Sequence, residues 1–346
     1  MEGLSTSTPL HRGGDHGRDV PRPIVVVTGA TGFIGRRLCE RLRAEGGRVR
    51  ALLRRDATPP EAVPWEESRI GELGRGPLPD GLMSGVDTVY HLAGIAHAFP
   101  RGSELDPLYR SVNVEGSEAL ARAAVAAGVR RFVYFSSIKA VADPGERCVD
   151  ERWDPEPPEG DLYGRSKREA ERRLLAIAEG SATEVCVLRP TLVYGAGVKG
   201  NLRRMMRAVE RGRFPPLPET GNRRSMVHLE DLISAALLAA RHPAAVGRTY
   251  IVSDGRDYST RQVYELMCRA TGRSPPGWSL SPSLLRAGGW LGDRLGALLG
   301  RRMPIDSSAV TRLIGSACYR NDRIVDELGF SPVHELASSL LGERWL

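Results

Sequence analysis

Along the first two thirds of the chain, short β-branched and apolar runs alternate with segments whose apolar residues recur at helical spacing. Ile24–Thr28 is such a run, continuous and brief as a strand buried on both faces must be. Arg36–Glu45 follows with Leu38 and Leu42 on one helical face, and Gly46-Gly47 ends it. Val49–Leu53 is a second strand, which completes a βαβ unit. Asp87–Leu92 is a further buried strand bounded by Gly94, and Val114–Ala127 is an alanine-rich helix stopped by Gly128. Arg131–Phe135, a long helix over Leu162–Glu179 and the strand Glu184–Leu188 continue the alternation. Strands alternating with helices predict an α/β fold with a parallel, doubly wound Rossmann sheet.

Beyond Gly195 the pattern changes. Residues 196–224 are basic and punctuated by Pro and Gly, as a loop-and-helix insertion would be. Met226–His242 reads as a connection and a helix, Thr249–Val252 as one more sheet strand, and 258–346 as mostly helical. The organisation expected is a disordered tail over 1–20 and a dinucleotide-binding domain over 21–195, to which 225–253 returns. A smaller, mostly helical substrate lobe is expected from 196–224 and 254–346. Leu284–Leu299 carries an apolar face with Arg286, Asp293 and Arg294 opposite. Its basic residues are few, so it reads as a surface helix of the lobe rather than a membrane-associated one.

Composition narrows the classes. At 346 residues, with 41% hydrophobic and 26% charged residues, the chain has the balance of an ordered globular protein. No run of eighteen apolar residues exists, and the first twenty residues lack an apolar signal-peptide core, so neither a bilayer span nor secretion is expected. The five cysteines, at 39, 148, 186, 268 and 318, have neither metal-ligand nor redox spacing and read as reduced thiols in a cytoplasm. The net charge of +7 comes from dispersed arginines, without a basic block interleaved with aromatics. That pattern argues against nucleic acid and suits a phosphate-bearing small molecule.

The chemistry begins at Gly29-Ala30-Thr31-Gly32-Phe33-Ile34-Gly35, set between a strand and a helix. There Gly29 permits a tight turn, Gly32 lets backbone approach a pyrophosphate, and Gly35 allows close helix–strand packing. The helix N-terminus then faces the diphosphate. NAD-binding proteins usually end the second strand on Asp or Glu; here it ends on Arg54-Arg55, which suits the 2′-phosphate of NADP. Asp56 serving an NAD ribose is the other reading, so the cofactor is NAD or NADP. Tyr163 and Lys167 stand at i and i+4 and share a helical face. A nearby ammonium, with the positive charge of an oxidised nicotinamide, would favour the phenolate over the phenol, whose free pKa is about 10. Ser136 and Ser137 follow a parallel strand at the edge where ligands bind; Ser137 could hold the reacting oxygen, and strand-end capping is the alternative, above all for Ser136.

Together these pieces make the chain resemble the extended short-chain dehydrogenase/reductase superfamily, in its NAD-dependent nucleotide-sugar epimerase/dehydratase family. The likeness runs from Ile24 to Pro332. It rests on the Gly29–Gly35 loop, His91-Leu92-Ala93-Gly94, Asn113-Val114-Glu115-Gly116, Phe135-Ser136-Ser137, Tyr163-x-x-x-Lys167, Leu188-Arg189-Pro190, Val193-Tyr194-Gly195 and Arg224–Leu232. The resemblance implies Ser137, Tyr163 and Lys167 as the catalytic trio. It implies a cofactor site lined by Gly29, Thr31, Gly32, Phe33, Ile34, Gly35, Arg54, Glu72, Leu73, Leu92, Ala93, Gly94, Tyr163, Lys167 and Pro190. Glu72 departs mildly from the family's usual Asp. Asn113 would support the active-site loop, while Arg224 would grip the diphosphate of a UDP-sugar, and Asn201 with Ser137 would touch substrate. His228 and Asp231 would hold their own strand–helix corner. No metal is implied. Dehydratases of this family carry an Asp-Glu pair where this chain has Ile138-Lys139, and neither side chain protonates a departing hydroxyl as a carboxylic acid does. The stretch 136–139, with 195–201 and 222–225, is instead similar to enzymes of bacterial surface-polysaccharide synthesis that epimerise or reduce C4 of UDP-N-acetylhexosamines. A homodimer paired through the helices near 114–127 and 162–179 is the family's usual assembly.

Overall fold

The computed structural model describes residues 22–54, 63–96, 105–300, 303, 306–343 and 345; the tail expected over 1–20 lies outside them. In chain order the first elements are β1 (Ile24–Thr28), α1 (Phe33–Ala44), β2 (Arg48–Leu53), β3 (Glu67–Ile70) and β4 (Val86–His91). Next come α2 (Leu105–Tyr109), a π-helical turn over Arg110–Glu115, α3 (Gly116–Ala126) and β5 (Arg131–Phe135). A 3-10 turn (Ile138–Ala140), β6 (Cys148–Val149), α4 (Leu162–Ala178) and β7 (Glu184–Pro190) complete the first part. Seven parallel strands form one sheet in the order β10-β7-β5-β4-β1-β2-β3, with β10 at Thr249–Val252. The strand order reverses between β1 and β4, the switch point at which open α/β sheets bind ligands.

Side-chain alternation explains the layers. Val25 and Val27 of β1 face a core with Leu38 and Leu42 of α1 and Leu232, Ile233 and Ala236 of α6 (Leu229–Arg241). Val26 faces the other core, with Leu120 and Ala124 of α3 and Ala170 and Leu174 of α4. The sheet is therefore covered on both faces, which is why its strands read as unbroken apolar runs.

A third core lies apart from the sheet. It gathers β8 (Leu192–Tyr194), α5 (Gly200–Glu210), β9 (Arg224–His228), β11 (Asp257–Tyr258), α7 (Thr260–Ala270), α8 (Pro282–Leu299), α9 (Ser307–Ile314) and α11 (Leu336–Gly342). The segment before α6, expected as a plain connection, is β9, the middle strand of a three-stranded sheet with β8 and β11. The remaining elements are β12 (Cys318–Tyr319) and α10 (Asp322–Leu328).

One expectation is overturned. Cys148 and Cys318 are not separate thiols but form a disulfide, because β6 and β12 pair in parallel and bring their Cα atoms to 4.5 Å. The partners are 170 residues apart in sequence, so no spacing rule could have found them. Asp257 lies beside both sulfurs, yet with those joined there is no thiolate for a metal. Cys39, Cys186 and Cys268 are free and buried.

Candidate active site

The carboxyl edge of the sheet gathers most of the residues expected to act. Gly29 turns the chain after β1 with φ +72°, and a Cβ there would stand 2.9 Å from the Ala93 amide nitrogen. The loops after β1 and β4 therefore touch through bare backbone. A Cβ on Gly35 would run into the Gly29 carbonyl, so this glycine sets how closely α1 sits on β1. Gly32 is the N-cap of α1, and no side chain caps that first turn. Backbone donors, the helix dipole and a cradle that any side chain would fill together fit the diphosphate of a dinucleotide.

Around the cradle, Phe33 and Ile34 pack partly buried against the core, and Thr31 is exposed. Leu92, Ala93 and Gly94 follow β4, and the Cβ position of Gly94 is 3.1 Å from Asn113 Oδ1 and 3.4 Å from Lys167 Nζ. Arg54 is exposed directly after β2; Arg55 and Asp56 lie outside the described residues. Glu72 pairs with Arg75 at 3.5 Å, Leu73 is buried, and Pro190 ends β7 opposite Val252 of β10.

A buried relay, unforeseen in the sequence, holds this edge. Ser117 Oγ donates to the Asn113 carbonyl at 2.6 Å, so it accepts from His91 Nε2 at 2.7 Å. His91 Nδ1 is then left to accept from Thr28 Oγ1 at 2.7 Å, while Thr28 Oγ1 accepts from the Ala93 amide at 3.0 Å. Burial, with a further push from Lys167, brings the His91 pKa down to about 3, so the ring is neutral. Asn113 sits in the π-helical turn. It donates to the Ile95 carbonyl and to Ser166 Oγ at 3.0 and 2.9 Å and accepts from the Ile95 amide at 2.7 Å. A wide turn at such a place is typical of functional helices.

Ser137, Tyr163 and Lys167 converge. Asp161 caps α4 by accepting from the Gly164 amide at 2.8 Å, and a Cβ at Gly164 would collide with the Lys139 carbonyl. That close approach brings the start of α4 onto the loop of Ser137, whose hydroxyl accepts from the Lys139 amide at 3.2 Å and lies near enough to the Tyr163 phenol to favour its phenolate. One turn on, buried Lys167 donates from Nζ to the Phe135 carbonyl at 2.8 Å and lies 4.7 Å over the Tyr134 ring. Burial pushes the Tyr163 phenol up to about 12, against the smaller effect of Ser137. Burial also brings Lys167 down to about 8, opposed by Glu171. Lys167 is expected to lower the tyrosine pKa, but in the protein alone its ammonium is turned to a carbonyl and desolvation wins at the phenol. Glu171, one turn further, meets Arg189 of β7 through two buried bonds of 2.9 and 2.6 Å and locks α4 to the sheet. Ser136 caps nothing among the described residues, where its buried hydroxyl finds no partner. Tyr109, also unforeseen, stands with its ring 6.4 Å from that of Tyr163.

The expected substrate residues lie in the third core's region. Arg224 opens β9, and its Nη1 donates to the Arg312 and Gly315 carbonyls at 2.8 and 3.2 Å, at the end of α9. Burial lowers its pKa, and Asp143 of the loop after Ser137 opposes this. Asn201 is exposed in the first turn of α5. His228 caps α6 and bonds Glu343, while Asp231 accepts from the amides of Val333 and His334.

Fold and site together define an oxidoreductase-type enzyme built on a dinucleotide-binding sheet, with tyrosine and lysine one helical turn apart. Residues 25–253 match the NAD dependent epimerase/dehydratase family, and the chain belongs to it. It is 33% identical over 326 residues to a UDP-glucose 4-epimerase of Vibrio cholerae, covering 92% of this chain and 93% of that protein. It is 30% identical over 347 residues to a 3 beta-hydroxysteroid dehydrogenase/Delta 5-->4-isomerase of Mycobacterium tuberculosis, covering 96% and 92%. The solved structure of MoeE5 in complex with UDP-glucose and NAD superposes with a TM-score of 0.70 at 26% identity, covering 91% of this chain and 95% of that one.

Proposed function

We propose that the enzyme acts at C4 of a UDP-hexose, with a UDP-N-acetylhexosamine foremost, as a 4-epimerase or a 4-ketoreductase. The observation that carries this reading is the convergence of Ser137, Tyr163 and buried Lys167, whose Nζ lies 3.4 Å from the Cβ position of Gly94 beside the backbone cradle. Tyr163 takes the proton of the C4 hydroxyl, Ser137 holds that oxygen, and the C4 hydrogen departs as hydride, leaving a C4 carbonyl. A nicotinamide dinucleotide held by the Gly29–Gly35 cradle would supply the hydride acceptor and, when oxidised, a positive charge. That charge is needed, because burial alone leaves Tyr163 at about 12. Lys167 would hold the ribose after leaving the Phe135 carbonyl. In an epimerase the 4-keto sugar turns and takes hydride back on its other face; a reductase runs half of that cycle. Ile138-Lys139 in the turn after Ser137 offers no carboxylic acid for 4,6-dehydration.

The named relatives support NAD and a sugar nucleotide, whereas Arg54 at the end of β2 speaks for NADP. Arg224 and Asn201 would hold the diphosphate and the sugar, with Arg224 offering what its carbonyl contacts leave over. The same contacts give Arg224 a structural reason to exist, which keeps a hydroxysteroid-type alcohol as a second reading, in line with the 30% identical dehydrogenase. The remaining parts of the reading are a homodimer through α3 and α4, a cytoplasmic setting and the division into a dinucleotide-binding domain and a substrate lobe. The Cys148–Cys318 disulfide weighs against a reducing compartment.

Incubation with UDP-GlcNAc, UDP-Glc and a 3β-hydroxysteroid, each with and without NAD or NADPH, is the test, read by NMR of the products. Inversion at C4 without added cofactor is the expected epimerase result. Oxidation of the steroid alone would replace the reading.

A further inference from the structure

The helix α8 is built the wrong way round for a helix that serves only its own core. Its buried positions are Leu285, Gly289 and Gly292, with the Gly289 face seated on Ser307 and Val310 of α9. Leu284, Leu291, Leu295 and Leu298 face outward, Leu298 being 81% exposed. At 100° per residue these four fall within about 60° of one another, a single stripe along a helix about 27 Å long. Trp290 is 57% exposed on the flank beyond Arg294, Trp278 is 62% exposed just before the helix, and Leu299 extends the stripe at the end. Apart from Leu285, small residues thus face inward and large apolar ones outward, the reverse of the usual amphipathic arrangement.

We propose that α8 is an interfacial helix that lays this stripe on an anionic lipid bilayer. Charge identifies the occupant. Residues 282–302 carry Arg286, Arg294, Arg301 and Arg302 against Asp293 alone. Arg294 is exposed on one flank of the stripe, with its guanidinium 5.1 Å over the Trp290 ring, while Arg286 is exposed on the far side of the helix. A leucine stripe edged by tryptophan and arginine is the pattern of helices that lie in a headgroup region, where the indole sits at the boundary and the cation meets lipid phosphate. A second copy docked through a twofold axis would set Arg294 at the edge of the seam in both copies and bring no acidic side chain to meet it. Residues 1–21 bring only Leu4, Leu10 and Val20 as aliphatic side chains, too few and too widely spaced to cover the stripe. No helix of the described residues is long and apolar enough to cross a membrane, so α8 lies on the surface and does not span it. The proposal does not depend on the substrate.

Flotation of the full chain with phosphatidylglycerol/phosphatidylethanolamine vesicles, and with phosphatidylcholine vesicles, tests it. The wild type is expected to float with the anionic vesicles and to be released by high salt. In Leu291→Gln/Leu298→Gln the partitioning should fall by about tenfold or more, with melting temperature kept. Should that pair fail to fold, Arg286→Gln/Arg294→Gln is expected to weaken flotation at an unchanged melting temperature. Failure of the wild type to float, or equal flotation with phosphatidylcholine, overturns the proposal. So does a wild-type dimer that the leucine pair converts to monomer without any lipid binding, since a second copy would then be the occupant.

Discussion

At the scale of single residues, the site turns on which effect wins at each titratable group. Desolvation outweighs the hydroxyl of Ser137 at Tyr163, so the phenol is a proton donor in the protein alone. Tyr163→Phe should therefore lower turnover by about 10²–10⁴-fold, while calorimetric cofactor binding and melting temperature stay near wild type; an active variant would remove the assigned base. His91 gives a pH signature. The unfolded ring takes a proton near 6.5 and the folded ring only near 3, so the unfolded state binds more protons between these values. Stability should then fall as the pH drops from 6.5 towards 3, by a contribution on the order of 5 kcal/mol across the full window. Urea titrations of wild type and His91→Gln at several pH values check this: the variant should be weaker at pH 7 but lose less on acidification. Arg54→Ala should weaken NADPH about tenfold more than NADH, and equal losses would show that Arg54 does not read the ribose. Ser137, Tyr163 and Lys167 were legible because strand end and i, i+4 spacing are local facts. The relay through Thr28, His91 and Ser117 was not, since its members come from β1, β4 and α3.

At the scale of elements, the βα turn was the clearest feature of the sequence, because its geometry needs glycine. Gly35→Ala would drive a methyl group into the Gly29 carbonyl. The expected result is a loss of about 1–3 kcal/mol in chemical denaturation together with a collapse of cofactor affinity; a variant that binds cofactor normally would show that α1 can back away from β1 at no cost. The long helices and inner strands were equally legible, but β3 was not. Its Glu67-Ser68-Arg69-Ile70 alternates around a sheet edge, with no apolar run to announce it. The π-helical turn Arg110–Glu115 is not legible, because a single widened turn sets up no repeat for periodicity to show. Arg224 was read from its motif alone, and its carbonyl partners on and after α9 lie about ninety residues further on.

At the scale of the molecule, the disulfide joins two regions that the sequence treats as unrelated. β6 follows the loop that carries Ser137, and β12 lies directly after Ala317, which bridges to Arg224. Closing a loop this long should stabilise the fold by about 4–5 kcal/mol in the chain-entropy account. Thermal melts with and without a strong reductant should differ for the wild type and coincide for Cys148→Ser/Cys318→Ser. The α8 stripe was visible as an apolar periodicity, but which way it faces depended on packing against α9. The disulfide also makes a closed ring of 170 steps along the backbone. A protease that clips any exposed loop between Cys148 and Cys318 therefore yields no fragments: the nicked chain keeps its 37.7 kDa mass on a non-reducing gel and separates into two pieces only when the sulfurs are parted.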